Sequence, residues 1–195
     1  GKLDLASQAA LVRMRELLAE AKPLRSNFAA LAIENSTAIR QFLAMAQILG
    51  HIDSDAPIRM LVAECEQPTT VLAALYFARL FGIADKVDVS PLFETESALE
   101  HGGRFLDALL AEFPDLRVIH TSRDPVQYIP SICALVCGGR RLLDPAANPH
   151  DIGRQALAIW SRSAAELARW RRANPGIPWY TVGLPALQRD PIAVV

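Results

Sequence analysis

The stretch RVIHTSRDPVQYIPSICALV, residues 117–136, decides how the chain is read. Its first six residues, RVIHTS, are rich in β-branched side chains and read as a buried strand. Asp124 is a strong helix N-cap residue, and Pro125 suits the first helical position. PVQYIPSICALV (125–136) then reads as a helix. A strand running straight into a helix is the unit of a parallel α/β sheet, whose ligands gather where strand carboxyl ends meet helix amino ends. Free backbone N–H groups and the positive end of the helix dipole favour an anion at that point. Arg123 would add a planar, permanently charged fork, and Ser131 one hydroxyl donor. Two readings of the turn remain open on these residues. In one, Arg123 and Ser131 hold a phosphate monoester. In the other, Arg123 pairs with a carboxylate and Ser131 bonds back to its own helix.

The rest of the chain repeats the alternation. Helical periodicity runs over 5–21, 35–50, 68–83, 96–113 and 151–173, and a further helix begins with DPIAVV (190–195). Short apolar runs at 58–64, 86–93 and 179–183 read as strands. GGRRLLDPAANP (138–149) reads as a loop. In 151–173, Ile152, Ala156, Ile159, Trp160, Ala164, Leu167 and Trp170 trace one apolar stripe, with the arginines largely off it. The fold class is therefore α/β: a mostly parallel sheet built from strand–helix units with flanking helices. A closed β/α barrel is excluded by so few strands.

With 195 residues, 51% of them hydrophobic, the chain can bury a real core in one domain or two small ones. No apolar span is long enough for a membrane and no signal-peptide pattern is present, which leads one to expect a cytoplasmic protein. The chain starts at Gly1 and ends at Val195 inside an incipient helix, as a processed chain or a fragment would. Cys65, Cys133 and Cys137 are odd in number and lack CxxC spacing, so neither a disulfide framework nor a zinc site is expected. Net charge is −1, yet all three lysines lie before residue 87 and the second part uses arginine alone, a bias toward an anionic ligand there. Trp160, Trp170 and Trp179 fit packing better than a base-stacking platform, and no nucleic-acid partner is expected. His120 inside its strand reads as a packed residue, and His51 and His150 as loop residues.

FPDLRVIHTSRDPVQYIPSICALV, with NPHDIGRQALAIWSRSAAELARW and WYTVGLPALQRDPIAVV after it, resembles the later half of the bacterial sulfotransferase family. That resemblance, over about 105–195, implies a nucleotide ligand, 3′-phosphoadenosine 5′-phosphosulfate (PAPS). It implies that Arg123, at a strand end, and Ser131, eight residues on, hold the 3′-phosphate. The family's glycine- and serine-rich loop for the 5′-phosphosulfate has no match in the chain, nor has its C-terminal nucleotide-binding segment. No catalytic base can be carried over; Glu96, Glu100 and His101 lie upstream without a matching pattern.

A second resemblance points elsewhere. RMLVAECEQPTTVLAALYFARLFGIADKVDVSPLFETESALEHG is similar to phosphoenolpyruvate carboxylase, specifically its bacterial carboxylase-like branch, over about 28–110. SPLFET carries it, and implies that Glu94 ligates Mg²⁺ at a strand end. The family's second metal carboxylate is missing, because HTSRDP stands in its place. Together the two resemblances imply a composite chain, a fusion or an assembled chimera, divided into 1–110 and 111–195: a partial barrel-type unit joined to a partial P-loop-like sulfotransferase unit. The functions to weigh are a sulfotransferase-type domain binding the 3′-phosphate with an incomplete active site, a Mg²⁺-dependent lyase fragment, and a non-catalytic fragment with residual anion binding.

Overall fold

A computed structural model of the protein describes residue 4 and residues 6–191. The chain divides into two compact units, Gly1–Ala98 and Leu99–Val195. It is a mixed α/β structure, and its strands pair in parallel as the alternation of elements requires. They form two separate pairs, where the sequence suggested a single sheet.

The first unit holds α1 (Gln8–Glu20), α2 (Phe28–Ile33), α3 (Thr37–His51), β1 (Ile58–Val62), α4 (Pro68–Leu80) and β2 (Val87–Pro91). β1 and β2 pair from Ile58↔Val87 to Val62↔Pro91, with α4 as the crossover. Ile58, Met60, Val62, Val87 and Val89 face the core, and Arg59 and Asp88 bridge at 3.3 Å on the exposed face. Phe42, Ala74, Ala78 and Ile83 complete the buried cluster. β1 stops short of the expected residue 64, because Glu64 adopts a left-handed backbone with φ 50°. α1 is capped by Ser7, whose hydroxyl accepts from the Ala10 amide at 3.2 Å. α1 packs on α4, and Arg79 of α4 donates to the Leu18 carbonyl at 3.0 Å. α2 was not expected; six residues are too few to show a period. His51 closes α3 rather than lying in a loop, its ring 5.5 Å from Phe28.

α5 (Glu96–Glu112) contains the division between the units. The second unit continues with β3 (Val118–Ser122), α6 (Pro125–Leu143), α7 (Pro149–Ala173), β4 (Trp179–Gly183) and α8 (Leu184–Arg189). β3 and β4 pair from Val118↔Trp179 to Ser122↔Gly183, and α6 and α7 together make the crossover. α6 runs seven residues past its expected end, through Gly138 and Gly139. Nothing lies within 4 Å of where a Cβ would sit on either glycine. The helix is held there from its other side, by buried Cys137 and by Arg140, which donates to Gln155 of α7 at 3.0 Å. α7 begins at Pro149, capped by Asn148, so His150 lies in its first turn rather than in a loop. α8 was not expected, and the helix expected from Asp190 onward lies, from residue 192, outside the described residues. Cys65 and Cys137 are buried and Cys133 is half-buried, all as free thiols. Among the described residues no helix is long and apolar enough to cross a membrane.

Candidate functional site

The turn after β3 is built as its sequence suggested. Asp124 is the N-cap of α6, and its carboxylate accepts from the Val126 amide at 3.0 Å. Its carbonyl accepts from the amides of Gln127 and Tyr128. Pro125 opens the helix, and Pro130 lies within it, where a missing N–H leaves the Val126 carbonyl without its intrahelical donor. Arg123 stands exposed at the strand's carboxyl end and makes no ion pair or hydrogen bond with any described residue. Ser131 is exposed on the turn of α6 after Tyr128, three residues along the same face.

A groove of about 1130 Å³ opens beside this turn, wholly within the second unit. Its floor is β3, through His120 and Ser122, and its side wall is α7, through Trp160, Ala164 and Leu167. Arg123 and Tyr128 lie at one end; Arg171, Arg172 and Trp179 mark the other. The volume slightly exceeds the roughly 300–1,000 Å³ typical of small-molecule pockets. Among the described residues, three arginines line the groove and no carboxylate does. Aromatic rings supply much of the rest: Tyr128 meets Trp160 edge-on at 5.4 Å, and Trp179 lies 5.5 Å from the His120 ring. The Arg171 guanidinium sits 5.0 Å over the Trp179 ring, a cation–π contact. Trp170 backs this wall from the core, its Nε1–H donating to Asp107 at 2.6 Å and its ring 6.4 Å from Trp179.

Burial holds the His120 imidazole below the usual histidine range, and the positive charge of Arg171 adds to the effect. The unfolded chain therefore binds this proton more readily than the folded one. The His120 contribution makes stability fall as pH drops from about 6.5 through the lowered folded value, and it vanishes above the unfolded value. We expect an NMR titration of His120 to show a midpoint below that of a histidine peptide, moving upward in Arg171→Ala. An unshifted midpoint would contradict the half-buried, arginine-facing position.

The site residues read from the sequence separate in the structure. Arg123 lines the groove; Ser131 does not. Glu94 lies in the other unit, in the loop after β2, where its carboxylate accepts from the Glu64 amide at 3.0 Å. Beside it, Thr95 donates to Glu66 at 2.7 Å. No group of three potential metal ligands occurs among the described residues, and Mg²⁺ at Glu94 finds no support. Of the three upstream acids and bases, Glu100 is paired with Arg162 at 3.0 Å, and none lines the groove. Missed in the sequence were His120, Tyr128, Arg171 and Arg172 as groove residues, and Trp160 and Trp179 as its walls rather than core. The signal was present: 160, 164, 167 and 171 follow helical spacing on one face, and 120 and 122 alternate along a strand.

Comparison with curated proteins and with solved structures gives no match. The family model described as "Sulfotransferase family" matches residues 13–195. The match runs through the segment where SPLFET suggested a carboxylase, and nothing supports a carboxylase-like part. A match over nearly the whole length, together with parallel strand–helix units ending in an arginine-bearing turn, leads to one conclusion: the chain belongs to the sulfotransferase family.

Proposed function

We propose that the groove in the second unit is the nucleotide site of a sulfotransferase-type domain, and that Arg123 and Ser131 hold the 3′-phosphate of PAPS or of adenosine 3′,5′-bisphosphate. One observation carries the reading: Arg123 stands without a counter-ion where a strand end meets a capped helix start, on a groove lined by arginines and aromatic rings and by no carboxylate. An unneutralised guanidinium beside the positive end of a helix dipole is an arrangement that favours a phosphate. Ser131 lies about 9 Å along the helix axis from Pro125, so an Arg123 side chain folded along α6 and the Ser131 hydroxyl can meet one phosphate group between them. Tyr128 and Trp160, at the Arg123 end of the groove, offer faces for a purine.

PAPS, when bound, would supply the sulfuryl group, which would pass from its 5′-phosphate oxygen to the acceptor's nucleophile, with adenosine 3′,5′-bisphosphate as the leaving group and the acceptor's proton taken by a base. The residues of this chain bind and orient the 3′-phosphate and the ring system. The chain's sequence contains no glycine- and serine-rich loop for the 5′-phosphosulfate, so binding rather than turnover is the property assigned to it.

Calorimetric titration tests the reading. Adenosine 3′,5′-bisphosphate should bind at least about 100-fold tighter than adenosine 5′-monophosphate, the worth of the paired charge-assisted contacts from Arg123. Equal affinity for the two would remove the 3′-phosphate from the site.

A further inference from the structure

We propose that the end of the groove formed by Arg171 and Arg172 is a second anion subsite, distinct from Arg123, which receives the anionic group of an acceptor with a flat apolar body. This rests on the nucleotide reading only in calling the ligand an acceptor.

The observation behind it is a difference among the arginines of α7. Arg154 pairs with Asp151, Arg162 with Glu100 and Arg169 with Glu166. Arg171 and Arg172 pair with no carboxylate among the described residues, and these are the two that line the groove. Adjacent like charges on a concave wall without a counter-ion draw an anion to that wall. They sit in the last turn of α7, where cations also suit the helix dipole. That accounts for their sign, but not for their lack of partners when the neighbouring arginines have them.

Position separates this end from Arg123. Arg171 lies over Trp179, whose ring rests against His120, whereas Arg123 follows Ser122 at the end of β3. Three residue steps of strand, from His120 to Arg123, are about 10 Å. Adenosine 3′,5′-bisphosphate anchored at Arg123 by its 3′-phosphate fills one end only. The wall between is apolar, Ala164, Leu167 and Ala168 on α7, above a floor that includes the His120 ring, and Ile177 and Trp179 continue the apolar surface at the Arg171 end. A planar ring lies well on such a surface with a carboxylate, sulfonate or phosphate directed to the two guanidinium groups.

Two probes with the same ring isolate the charge: naphthalene-2-carboxylate and neutral naphthalene-2-carboxamide, titrated calorimetrically into the full chain saturated with adenosine 3′,5′-bisphosphate. The carboxylate should bind roughly tenfold tighter. That preference should vanish in Arg171→Gln/Arg172→Gln and persist in Arg171→Lys/Arg172→Lys. Bisphosphate affinity of the glutamine variant should stay within about twofold, with circular dichroism confirming its helix content. Repeating the titration without bisphosphate keeps the two proposals apart. Arg123→Ala should lose the bisphosphate and keep the preference for the carboxylate. Loss of the carboxylate preference in the glutamine variant, with bisphosphate binding indifferent to Arg123, would overturn the nucleotide reading and leave this subsite standing. Equal binding of the two probes, no binding of either, or a preference surviving the glutamine substitutions would overturn the subsite.

Discussion

Replacing Arg123 by alanine is expected to weaken adenosine 3′,5′-bisphosphate binding about 100-fold and to leave folding stability within about 0.5 kcal/mol. Both halves of that expectation come from the same fact. Arg123 is exposed and bonds to no described residue, so its removal breaks nothing in the free protein. In the proposed complex it would contribute two charge-assisted bonds, each worth about 1.5–3 kcal/mol before screening. Exposure and salt reduce the sum, and about 2.7 kcal/mol corresponds to the factor of 100. Lysine in its place keeps the charge but loses the fork, and should recover about tenfold of the loss. Ser131→Ala removes one neutral donor and should cost only about fivefold. A loss below about threefold in Arg123→Ala, at low ionic strength, would sink the assignment of the phosphate to this turn.

The second large effect concerns stability. Trp170→Ala should cost about 3–5 kcal/mol in chemical denaturation followed by circular dichroism. Trp170 is 6% exposed, the largest buried side chain of the second unit, and its indole N–H is bonded to Asp107. Alanine empties a space that α5 and α7 share and removes the ring behind Trp179. Trp170→Phe keeps most of the volume and forgoes the hydrogen bond, so about 1 kcal/mol is expected; exposed Asp107 remains solvated. A loss of less than about 1 kcal/mol in the alanine variant would show that this wall can collapse without penalty.

The contrast between these residues explains what the sequence made legible. Asp124, Pro125 and the apolar run before them act through local rules, and the strand, cap and helix start follow from neighbours in the chain. The place of Arg123 at the strand end was legible because it belongs to that local unit. Arg171 and Arg172 were not, because their meaning depends on which arginines of α7 find carboxylates. One of those carboxylates, Glu100, lies about sixty residues earlier in the sequence. The glycine pair 138–139 misled for a related reason. Local propensity argues for a loop, and packing of α6 against α7 overrides it. SPLFET misled differently: Glu94 does sit at a strand end, but it caps a neighbouring backbone turn rather than facing a cavity.

The long crossover between β3 and β4 also governs when the groove comes into being. Val118 and Trp179 are partners about sixty residues apart, against about thirty for Ile58 and Val87 in the first unit, and closure entropy rises with that length. On a ribosome adding roughly 5–20 residues per second, β3 emerges some 3–12 s before the strand it must pair with. During that interval Arg123 and the start of α6 can form, but the floor has no partner strand and the Arg171 end does not exist. Under the proposed function, nucleotide capture that needs only the turn would be open to a nascent chain, and capture that needs both ends would report a finished one.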